Sequence, residues 1–458
     1  MNKEAKQIKK FDAIIIGFGK GGKTLASALA KNGQRVAVIE KSADMYGGTC
    51  INIACIPTKS LVHQSNERKL SSIPKEEFYT HAIAQKDALT AFLRNKNFHM
   101  LDDQEAVTVI TGMANFVDDR KIQVKTVDGT LELTADKFFI NTGSLPITPP
   151  IDGLDNAVFV YDSTTLQQLV KLPEKLVIIG GGYIGLEFAS IYANFGSEVT
   201  VIDSSPEFLP KEDRDIAEEV KKVLDAKKIT FIVNSNVKSV ENRDGGVIVS
   251  YQTSDSKHAE AYGNALLLAT GRKPNTEGLG LENTSVEVNE RGAIVVDDRL
   301  KTTADHIWAL GDVNGGPQFT YISLDDFRIV KDQLFGDGRY TRKERSNVPY
   351  SVFIDPVLSH VGLNENMAKE QGIAYKVVSL PAAAIPRARV VQQTDGLLKA
   401  LVDPETKEIL GCTLFCAESS EMINIVRVAM EAKLPYTFLR DTIFTHPSMS
   451  EALNDLFS

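Results

Sequence analysis

A strand, a glycine-rich turn and a helix follow one another twice in this chain, and this feature restricts the fold most. In the first copy, the apolar segment Phe11–Ile16 precedes a Gly-x-Gly-x-x-Gly turn at residues 17–22. The Ala- and Leu-rich segment Lys23–Lys31 follows as a predicted helix, and Val36–Glu40 as a second strand. A β-α-β unit of this kind is typical of one half of a dinucleotide-binding domain.

The second copy repeats this order. Leu176–Ile179 is a predicted strand, residues 180–185 carry the glycine turn, Leu186–Phe195 is a predicted helix and Glu198–Asp203 is the next strand. The two turns begin 163 positions apart, which is far longer than the period of a solenoid repeat. We therefore expect an α/β fold with two separate Rossmann-like dinucleotide-binding domains.

The rest of the chain predicts further strands. Val107–Leu133 and Ile229–Gln252 alternate apolar and polar residues, which indicates antiparallel strands. From about residue 347, three strand-like segments precede a helical one, the pattern of a C-terminal α+β domain. These four segments are Val377–Leu380, Gly396–Val402, Ile409–Phe415 and Ser420–Ala432.

The composition argues against several classes of partner. The chain has 51 basic and 60 acidic residues and a net charge of -9, so we expect neither nucleic acid nor a membrane surface as a partner. No apolar run approaches the roughly 20 residues of a membrane span, and the Lys-rich segment Met1–Lys10 leads into a predicted strand and not into a signal peptide. Four cysteines in 458 residues do not form a secreted disulfide framework. The expected location is the cytoplasm, where a disulfide is catalytic.

The first glycine turn predicts a dinucleotide site. Gly17, Gly19 and Gly22 permit a tight turn and let a pyrophosphate approach the backbone at the helix N-terminus. Glu40, at the end of the second strand, is placed to accept hydrogen bonds from a ribose diol. Because strand, turn, helix and acid occur in the expected order, we favour a cofactor site over a flexible loop.

The second turn predicts a site for a pyridine nucleotide. Gly180, Gly182 and Gly185 form the turn, and Asp203 ends the following strand. An acid at this position repels a 2′-phosphate and favours NADH over NADPH. No Arg directly follows Asp203, and Lys211 is the nearest cation. NADH is therefore the preferred cofactor and NADPH the alternative.

A pair of cysteines, Cys50 and Cys55, follows the first unit. They lie near the start of a helix predicted from about Asn52 to Asn66, and a helix dipole lowers the pKa of thiols at that end. A disulfide between them requires a distorted first turn, which Pro57 and the entry through residues 47–48 favour. Two packed free cysteines are the alternative. A dithiol beside two dinucleotide sites predicts electron transfer from nicotinamide through a flavin to sulfur.

Motifs along essentially the whole chain resemble the class I pyridine nucleotide-disulfide oxidoreductases, the group of lipoamide dehydrogenase, glutathione reductase and mercuric reductase. The motifs are Gly47–Lys59, both glycine turns, Ala269–Arg272, Ala309–Asp312 and His446–Glu451. The resemblance implies an FAD-binding domain at 1–147 and 268–343, an NAD(P)H-binding domain at 148–267, and a C-terminal dimerisation domain at 344–458.

The resemblance also implies roles for individual residues. Cys50 would be the interchange thiol that attacks the substrate, and Cys55 would lie against the flavin and form a thiolate-to-flavin charge-transfer complex. His446, oriented by Glu451, would be the acid/base for Cys50, donated across a homodimer interface. A His with a nearby carboxylate also fits the general pattern of an activated nucleophile.

Cofactor contacts are implied in the same way. Lys59 would reach the flavin, paired with Glu187, and Asp312 would bind the ribityl chain. Tyr183 matches an aromatic residue that gates the nicotinamide pocket in some members. The remaining expected contacts are Gly48, Thr49, Thr142, Gly143, Ile184, Gly271 and Gly311.

Longer matches resemble one bacterial subgroup, the reactive-chlorine-resistance flavoproteins. They are Gly17–Lys20, Tyr46–Ile53, Phe92–His99, Ile385–Arg389 and Phe444–Phe457. These flavoproteins resemble hypothiocyanous acid reductases, and some members are described as copper(II) reductases. The polar segment from Arg94 to His99 suits either the lining of a site or one face of a solvated helix.

We therefore expect a homodimeric FAD-dependent enzyme that uses NAD(P)H to reduce a small oxidant, hypothiocyanous acid, to thiocyanate. The chain ends at Ser458 without the C-terminal cysteine pair of mercuric and large thioredoxin reductases, and no metal-binding module precedes the first strand. Without such a second cysteine pair, we expect the substrate to react directly with the Cys50–Cys55 dithiol. The alternatives are a lipoamide dehydrogenase, another disulfide, copper or mercuric reductase, and, outside enzymes, a thiol redox sensor.

The remaining cysteines and histidines predict no second centre. Cys412 and Cys416 fall in or beside a predicted strand, where they are too far apart to bond without a bend, so we expect packed free thiols. The six histidines other than His446 lack the spacing of metal ligands, and no metal site is expected.

Overall fold

The computed structural model describes residues 8–458, which divide into two compact units. The first unit contains residues 8–60, 84–147 and 271–345, and the second contains residues 61–83, 148–270 and 346–458. Residues 1–7 of the Lys-rich N-terminal segment lie outside the described residues. The expectation that this segment is not a signal peptide therefore stays a prediction. The assignment of cofactors to domains stays a prediction at this point.

The chain contains alternating helices and strands as well as long runs of consecutive strands. The strands are β1 (Lys9–Ile16), β2 (Val36–Glu40), β3 (Val107–Thr111), β4 (Met113–Asp118), β5 (Lys121–Thr126), β6 (Gly129–Ile140), β7 (Ser144–Pro146), β8 (Val160–Tyr161), β9 (Lys175–Ile179), β10 (Glu198–Ile202), β11 (Ile229–Ile232), β12 (Asn236–Arg243), β13 (Gly246–Gln252), β14 (His258–Gly263), β15 (Ala265–Leu268), β16 (Arg272–Pro274), β17 (Ile307–Ala309), β18 (Tyr350–Val352), β19 (Val357–Gly362), β20 (Lys376–Pro381), β21 (Leu397–Val402) and β22 (Ile409–Cys416). The helices are α1 (Lys20–Lys31), α2 (Thr49–Asn52), α3 (Cys55–Arg68), α4 (Lys75–Asp102), α5 (Tyr183–Phe195), α6 (Arg214–Ala226), α7 (Thr320–Phe335), α8 (Glu365–Glu370), α9 (Pro386–Val390), α10 (Ser419–Glu431), α11 (Tyr436–Asp441) and α12 (Ala452–Leu456).

The first unit is built on a seven-stranded sheet. Its strands follow the order β3-β2-β1-β6-β5-β4, with β17 beside β6. β1 pairs in parallel with both β2 and β6, and β2 pairs in parallel with β3. Side chains of β1 enter two apolar clusters, Ile14 and Ile16 in one and Ala13 and Ile15 in the other, because successive residues of a strand point to opposite faces. The carboxyl ends of these parallel strands are where a dinucleotide-binding fold places its ligand.

The second unit contains the other predicted dinucleotide fold. Its five-stranded sheet has the order β11-β10-β9-β15-β8, and every pair in it is parallel. A second five-stranded sheet, β18-β19-β22-β21-β20, is antiparallel, and its buried side chains form a cluster with those of α10 and α12. The predicted α/β class with a C-terminal α+β module is confirmed.

Two strand predictions are wrong in part. The segment Val107–Leu133 was expected to be antiparallel, but its first strand, β3, is parallel to β2. In Ile229–Gln252, β11 is likewise parallel to β10, while β12 and β13 are antiparallel as predicted. The reason is that β3 and β11 each complete a parallel sheet by a crossover connection, which residue alternation does not reveal.

Among residues 8–458, no helix combines the length and the apolar character needed to cross a lipid bilayer.

Candidate active site

The cysteine pair lies on a broken helix in the first unit. Cys50 belongs to the one-turn helix α2, and Cys55 is the first residue of α3. Ile53, at φ -139° and ψ 0°, lies between the two helices and interrupts the helical backbone. The helix predicted from about Asn52 to Asn66 is present but begins later, at Cys55. The break before it supplies the distortion that a disulfide between the two positions requires.

Gly48 lets this turn approach the first glycine turn closely. Its φ is 76°, and a Cβ there would lie 2.6 Å from the Cα of Gly19. A residue with a side chain is therefore excluded both by the backbone conformation and by the lack of space. The dithiol segment consequently rests directly on the N-terminus of α1.

The two thiols differ strongly in acidity. Hydrogen bonding between the two sulfurs is the largest cause, and it lowers the pKa of Cys55 to about 6 while it raises the pKa of Cys50. The Thr320 hydroxyl and the ammonium group of Lys59 further lower the pKa of Cys55, against the effect of burial. The sequence predicted a lowered pKa at this helix end, which holds for Cys55 and is wrong for Cys50. The reduced pair therefore carries its negative charge on Cys55.

Helix α4 supports the dithiol turn with one of its faces. Arg94 Nε donates a hydrogen bond to Asn52 Oδ1 at 2.8 Å. The amide of Asn52, only 8% exposed, donates in turn to the carbonyl oxygens of Tyr46 and Gly48, both at 2.9 Å. The ring of Phe98 packs against that of Tyr46, with centroids 4.7 Å apart. These contacts fix the backbone that leads into Cys50.

The segment Arg94–His99 thus combines the two predicted features, residues that contact the dithiol turn and a solvated helix face. Arg94, Asn97 and Phe98 face the protein, whereas Asn95, Lys96 and His99 are exposed. Asn97 Oδ1 accepts a hydrogen bond from the ammonium group of Lys23 on α1. The spacing of three and four residues places these inward side chains on one side of the helix.

The first glycine turn fits the pyrophosphate and ribose of a dinucleotide. Gly22 N donates to Asn141 Oδ1 at 2.8 Å, and Phe18 N donates to Glu40 Oε2 at 3.0 Å. Glu40 lies beside the turn at the end of β2, and burial raises the pKa of its carboxyl group. Gly17 adopts φ 105°, as tight turns of this kind require.

Further predicted FAD contacts gather in the same unit. Asp312 Oδ2 accepts a hydrogen bond from Ser144 Oγ at 2.7 Å, and Arg272 Nε donates to the same hydroxyl at 2.9 Å. Burial raises the pKa of Asp312. Thr142 donates to the Asn275 carbonyl at 2.7 Å. The unit also contains the predicted residues Gly48, Thr49, Lys59, Gly143, Gly271 and Gly311.

The second glycine turn, in the second unit, fits a pyrophosphate as well. Gly182 is exposed, and no heavy atom lies within 4 Å of the Cβ it lacks, so the N-terminus of α5 faces open space. A Cβ on Gly181 would lie 2.6 Å from Asp203 Oδ2, which places this carboxylate against the turn. Oδ1 of Asp203 accepts from the backbone N of Ser205 at 3.1 Å. The predicted residues Gly180, Ile184, Gly185 and Glu187 lie in the same segment.

Tyr183, the first residue of α5, belongs to a group that the sequence did not indicate. Its hydroxyl and that of Tyr350 each donate to Glu212 Oε1 at 2.7 Å. The two rings stack with centroids 5.3 Å apart. Glu212 is 1% exposed, so its charge depends on these phenols for solvation.

The other predicted catalytic residues divide between the units. Lys59 lies in the first unit. In the second, Glu187 Oε1 accepts a hydrogen bond from Phe353 N at 2.8 Å, and the predicted contact between His446 Nδ1 and Glu451 Oε2 is present at 2.8 Å. Most of the His446 side chain is exposed, so its ring is open to a partner.

The remaining candidates are structural. Cys412 and Cys416 are buried free thiols of β22, and burial raises the pKa of both, that of Cys416 to about 12. The prediction of packed thiols is confirmed. Three carboxylates that converge in the second unit, Asp213, Asp215 and Glu365, are all bonded by the ammonium group of the buried Lys399.

Sequence reasoning missed several residues in both units. They are Lys23, Asn141 and Thr320 in the first unit and Glu212 and Tyr350 in the second. Only Lys23 had a usable signal. It falls on the otherwise small and apolar face of α1 with Gly19, Gly22 and Ala26, where a lysine is unusual.

Comparison with protein families gives two matches. The model for the pyridine nucleotide-disulphide oxidoreductases matches residues 11–326. The model for the dimerisation domain of the same proteins matches residues 348–457 and indicates a homodimer.

Three curated proteins illustrate the relationship. The probable pyridine nucleotide-disulfide oxidoreductase RclA of Escherichia coli (strain K12) is 53% identical, over 98% of this chain and 99% of its own length. A mercuric reductase of Lysinibacillus sphaericus is 34% identical, over 97% of this chain and 81% of the relative. The dihydrolipoyl dehydrogenase of Geobacillus stearothermophilus is 32% identical, over 96% of this chain and 94% of the relative.

Solved structures agree with these relationships. The Cu(II) complex of the HOCl-induced flavoprotein disulfide reductase RclA from Escherichia coli superposes with a TM-score of 0.93 at 53% identity, covering 98% of this chain and 99% of that one. A further solved structure of the HOCl-induced flavoprotein disulfide reductase RclA from Escherichia coli superposes with a TM-score of 0.92. The chain therefore belongs to the pyridine nucleotide-disulfide oxidoreductases, a flavoprotein family whose cofactors are FAD and NAD(P)H.

Proposed function

We propose that this protein reduces hypothiocyanous acid to thiocyanate, using NADH in preference to NADPH. The observation that carries the proposal is the asymmetric dithiol, in which Cys55 is the acidic thiol and Cys50 keeps its proton. The relationship to a reductase described as HOCl-induced supports a substrate derived from oxidative chlorine chemistry. The electrophilic sulfur of hypothiocyanous acid suits attack by a thiolate.

The proposed reaction begins at Cys50. Its sulfur attacks the sulfur of hypothiocyanous acid, the S–O bond breaks, and the departing hydroxide takes the thiol proton to become water. Cys50 then carries a thiocyanate group in a new S–S bond. The Cys55 thiolate attacks the Cys50 sulfur, which forms the Cys50–Cys55 disulfide and expels thiocyanate. The substrate gains two electrons and the dithiol loses two.

Two electrons from NADH would return the dithiol to its reduced form. Bound FAD supplies the transfer of two electrons from NADH to the disulfide, so that each cycle converts NADH and hypothiocyanous acid into NAD⁺, thiocyanate and water. Gly17, Gly19, Gly22 and Glu40 are the proposed residues for the FAD pyrophosphate and ribose. Asp203, held against the second turn, disfavours a 2′-phosphate and hence NADPH.

The proton of Cys50 passes to the departing hydroxide through a histidine that we assign to the second copy of the chain. Within one chain, the hydrogen bond between His446 Nδ1 and Glu451 Oε2 orients the imidazole and leaves most of its side chain exposed. The dimerisation domain offers the means of presenting it to another subunit.

Copper(II) reduction is a second candidate, because a solved structure of a protein 53% identical to this chain is a Cu(II) complex. Lipoamide is the third substrate to compare, since dihydrolipoyl dehydrogenases are among the relatives. The sequence alternative of a thiol redox sensor predicts a single oxidation event without turnover.

The deciding experiment follows NADH oxidation by the flavin-loaded protein with hypothiocyanous acid, Cu(II) and lipoamide in parallel, each repeated with NADPH. We expect rapid and repeated turnover with hypothiocyanous acid and NADH. Cys50→Ser is expected to abolish this turnover while flavin remains bound, and Cys412→Ser serves as the control thiol substitution. NADH oxidation at the rate of the enzyme-free mixture would rule out the proposal, and a single stoichiometric oxidation would favour the redox sensor.

A further inference from the structure

A buried lysine near the dithiol has no acidic partner within the described part of the chain. Lys23 on α1 is 6% exposed, and its ammonium group donates a hydrogen bond to the neutral side chain of Asn97. Among residues 8–458, it forms no ion pair with Asp or Glu. Buried charges in proteins are normally paired, and the carboxylates of residues 8–458 supply no partner for this ammonium group.

The backbone brings Lys23 towards Cys50. Gly48, two residues before Cys50, packs against Gly19 at the start of α1, and Lys23 lies one helical turn after Gly19. Asn97 contacts both sides of this junction. It binds Lys23, and its side-chain carbon would lie 3.3 Å from a Cβ on Gly47. Lys23 is therefore held on the side of the turn that carries Cys50.

The charged and titratable groups that act on Lys23 are few. Lys20 precedes it by one turn on α1, Cys50 belongs to α2, and α4 contributes the uncharged Asn97. Burial, with a smaller effect of Lys20, lowers the pKa of Lys23 to about 8, and Cys50 opposes this change. Cys50 is thus the group in this set that is able to become an anion.

We propose that Lys23 is the counter-ion of the Cys50 thiolate, and that Asn97 positions its ammonium group for this purpose. The inference rests on the proposed attack by Cys50 and adds the residue that stabilises the attacking form. Lys23 acts through Cys50 and keeps its own proton throughout the cycle. The thiol proton of Cys50 still leaves on the hydroxide released from the oxidant, so the balance of the reaction is unchanged.

This arrangement gives each sulfur its own cation, one for the attack of Cys50 on the substrate and one for the attack of Cys55 on Cys50. In the resting dithiol, the negative charge lies on Cys55, stabilised first by the hydrogen bond with Cys50 and then by Thr320 and Lys59. Cys50 acquires thiolate character as it gives up its proton during attack on the substrate, and an opposite charge nearby makes the ionised thiol more favourable. A cation reserved for each sulfur lets either one become the thiolate at its own step.

The test measures the reactivity of Cys50 directly and does not depend on the oxidant. Reduced, flavin-loaded protein is treated with iodoacetamide between pH 6 and pH 10 (roughly the range in which thiols and lysines titrate), and alkylation at Cys50 and Cys55 is quantified separately by peptide mass spectrometry. The variants are Lys23→Met, Lys23→Gln and Lys23→Arg. Lys96→Met, which removes an exposed charge from α4, is the matched control.

We expect Lys23→Met and Lys23→Gln to slow alkylation of Cys50 at pH 7 by about tenfold or more, the effect of one unit in the pKa of the thiol. Lys23→Arg is expected to keep the wild-type rate and to extend it above pH 8, because Arg does not lose its charge there. Lys96→Met should behave as wild type.

Equal Cys50 profiles in the wild-type protein and in a folded, flavin-bound Lys23→Gln variant would overturn the inference. A loss in Lys23→Arg as large as in Lys23→Gln would do the same, since it would indicate a packing role. If the wild-type protein does not turn over hypothiocyanous acid but the Lys23 variants alter Cys50 as expected, the proposed substrate fails and the counter-ion stands.

Discussion

The hydroxyl oxygen of Thr320 lies 3.4 Å from the sulfur of Cys55. Thr320 is the first residue of α7, and Cys55 is the first residue of α3, so this sulfur lies close to two helix N-termini. A thiolate is favoured at such a position by the helix dipole and by hydrogen-bond donors. The contact therefore explains part of the low pKa of Cys55.

Thr320→Val is expected to raise the pKa of Cys55 by about one to two units, because a hydrogen bond to a charged group contributes about 1.5 to 3 kcal/mol. The measurement is the pH midpoint of Cys55 alkylation in the reduced protein. In the wild type, reactivity rises as pH increases through about 6. Thr320→Ser keeps the hydroxyl and should keep this midpoint, and a Val variant with the same midpoint would contradict the role of the contact.

Asn52 is expected to stabilise the backbone of the dithiol turn. Asn52→Leu removes the donor to two carbonyl oxygens and the acceptor of Arg94 Nε. Each buried group left without a partner costs about 1 to 3 kcal/mol. We expect faster hydrogen–deuterium exchange over residues 46–52, measured by mass spectrometry. Asn95→Leu, an exposed position on α4, is the control, and equal exchange in the two variants would refute this function of Asn52.

Tyr350→Phe is expected to weaken the hydrogen-bond network that holds the Tyr183 side chain in place. The substitution keeps the stacked ring but leaves Glu212 with one phenol instead of two. Loss of a hydrogen bond to a charged group costs about 1.5 to 3 kcal/mol, so the melting temperature should fall. Tyr262→Phe, at a more exposed hydroxyl, should change it little.

The same variant tests whether Tyr183 gates the nucleotide site. If Tyr183 must move for NADH to bind, a weaker hold on its ring increases the population of the competent state and lowers the apparent Kd for NADH. The measurement is a fluorescence titration of the reduced nucleotide. A Kd that is unchanged while the melting temperature falls would limit the role of Tyr350 to stability.

Lys399 is expected to hold the second unit together near α6 and α8. Its ammonium group, in a side chain that is 1% exposed, bonds with Asp213, Asp215 and Glu365. Lys399→Met leaves buried carboxylate charge without a partner and should destabilise the protein by about 3 to 5 kcal/mol. Urea unfolding measures this effect. Lys221→Met, which breaks an exposed pair with Asp225, is the control and should cost less than about 1 kcal/mol.

The pH dependence of the same variants provides a second check. The hydrogen bond from Lys399 is the main cause that lowers the folded-state pKa of Glu365. Its stabilisation is therefore complete above the unfolded pKa of about 4.3 and is lost as the pH falls through the lower folded value. Wild-type stability should decline more steeply than that of Lys399→Met over this acidic range. Parallel curves would mean that Glu365 contributes no proton linkage.

Local patterns in the sequence were sufficient for several features. The two strand–turn–helix units, the C-terminal module, the pairing of His446 with Glu451 and the burial of Cys412 and Cys416 all depend on residues close together in the chain. Glycine spacing, apolar periodicity and short-range hydrogen bonds are properties that neighbouring residues determine.

The tertiary structure decided the properties that depend on distant partners. β3 and β11 are parallel because crossover connections return them to the same sheets. The hydrogen bond between the two sulfurs makes Cys55 the acidic thiol, and Thr320, which lies 265 positions away in sequence, lowers its pKa further. Lys23 meets Asn97 across 74 positions. The sequence by itself determined which elements and reactive groups this protein has, whereas burial and contacts between distant segments determined their charge and their neighbours.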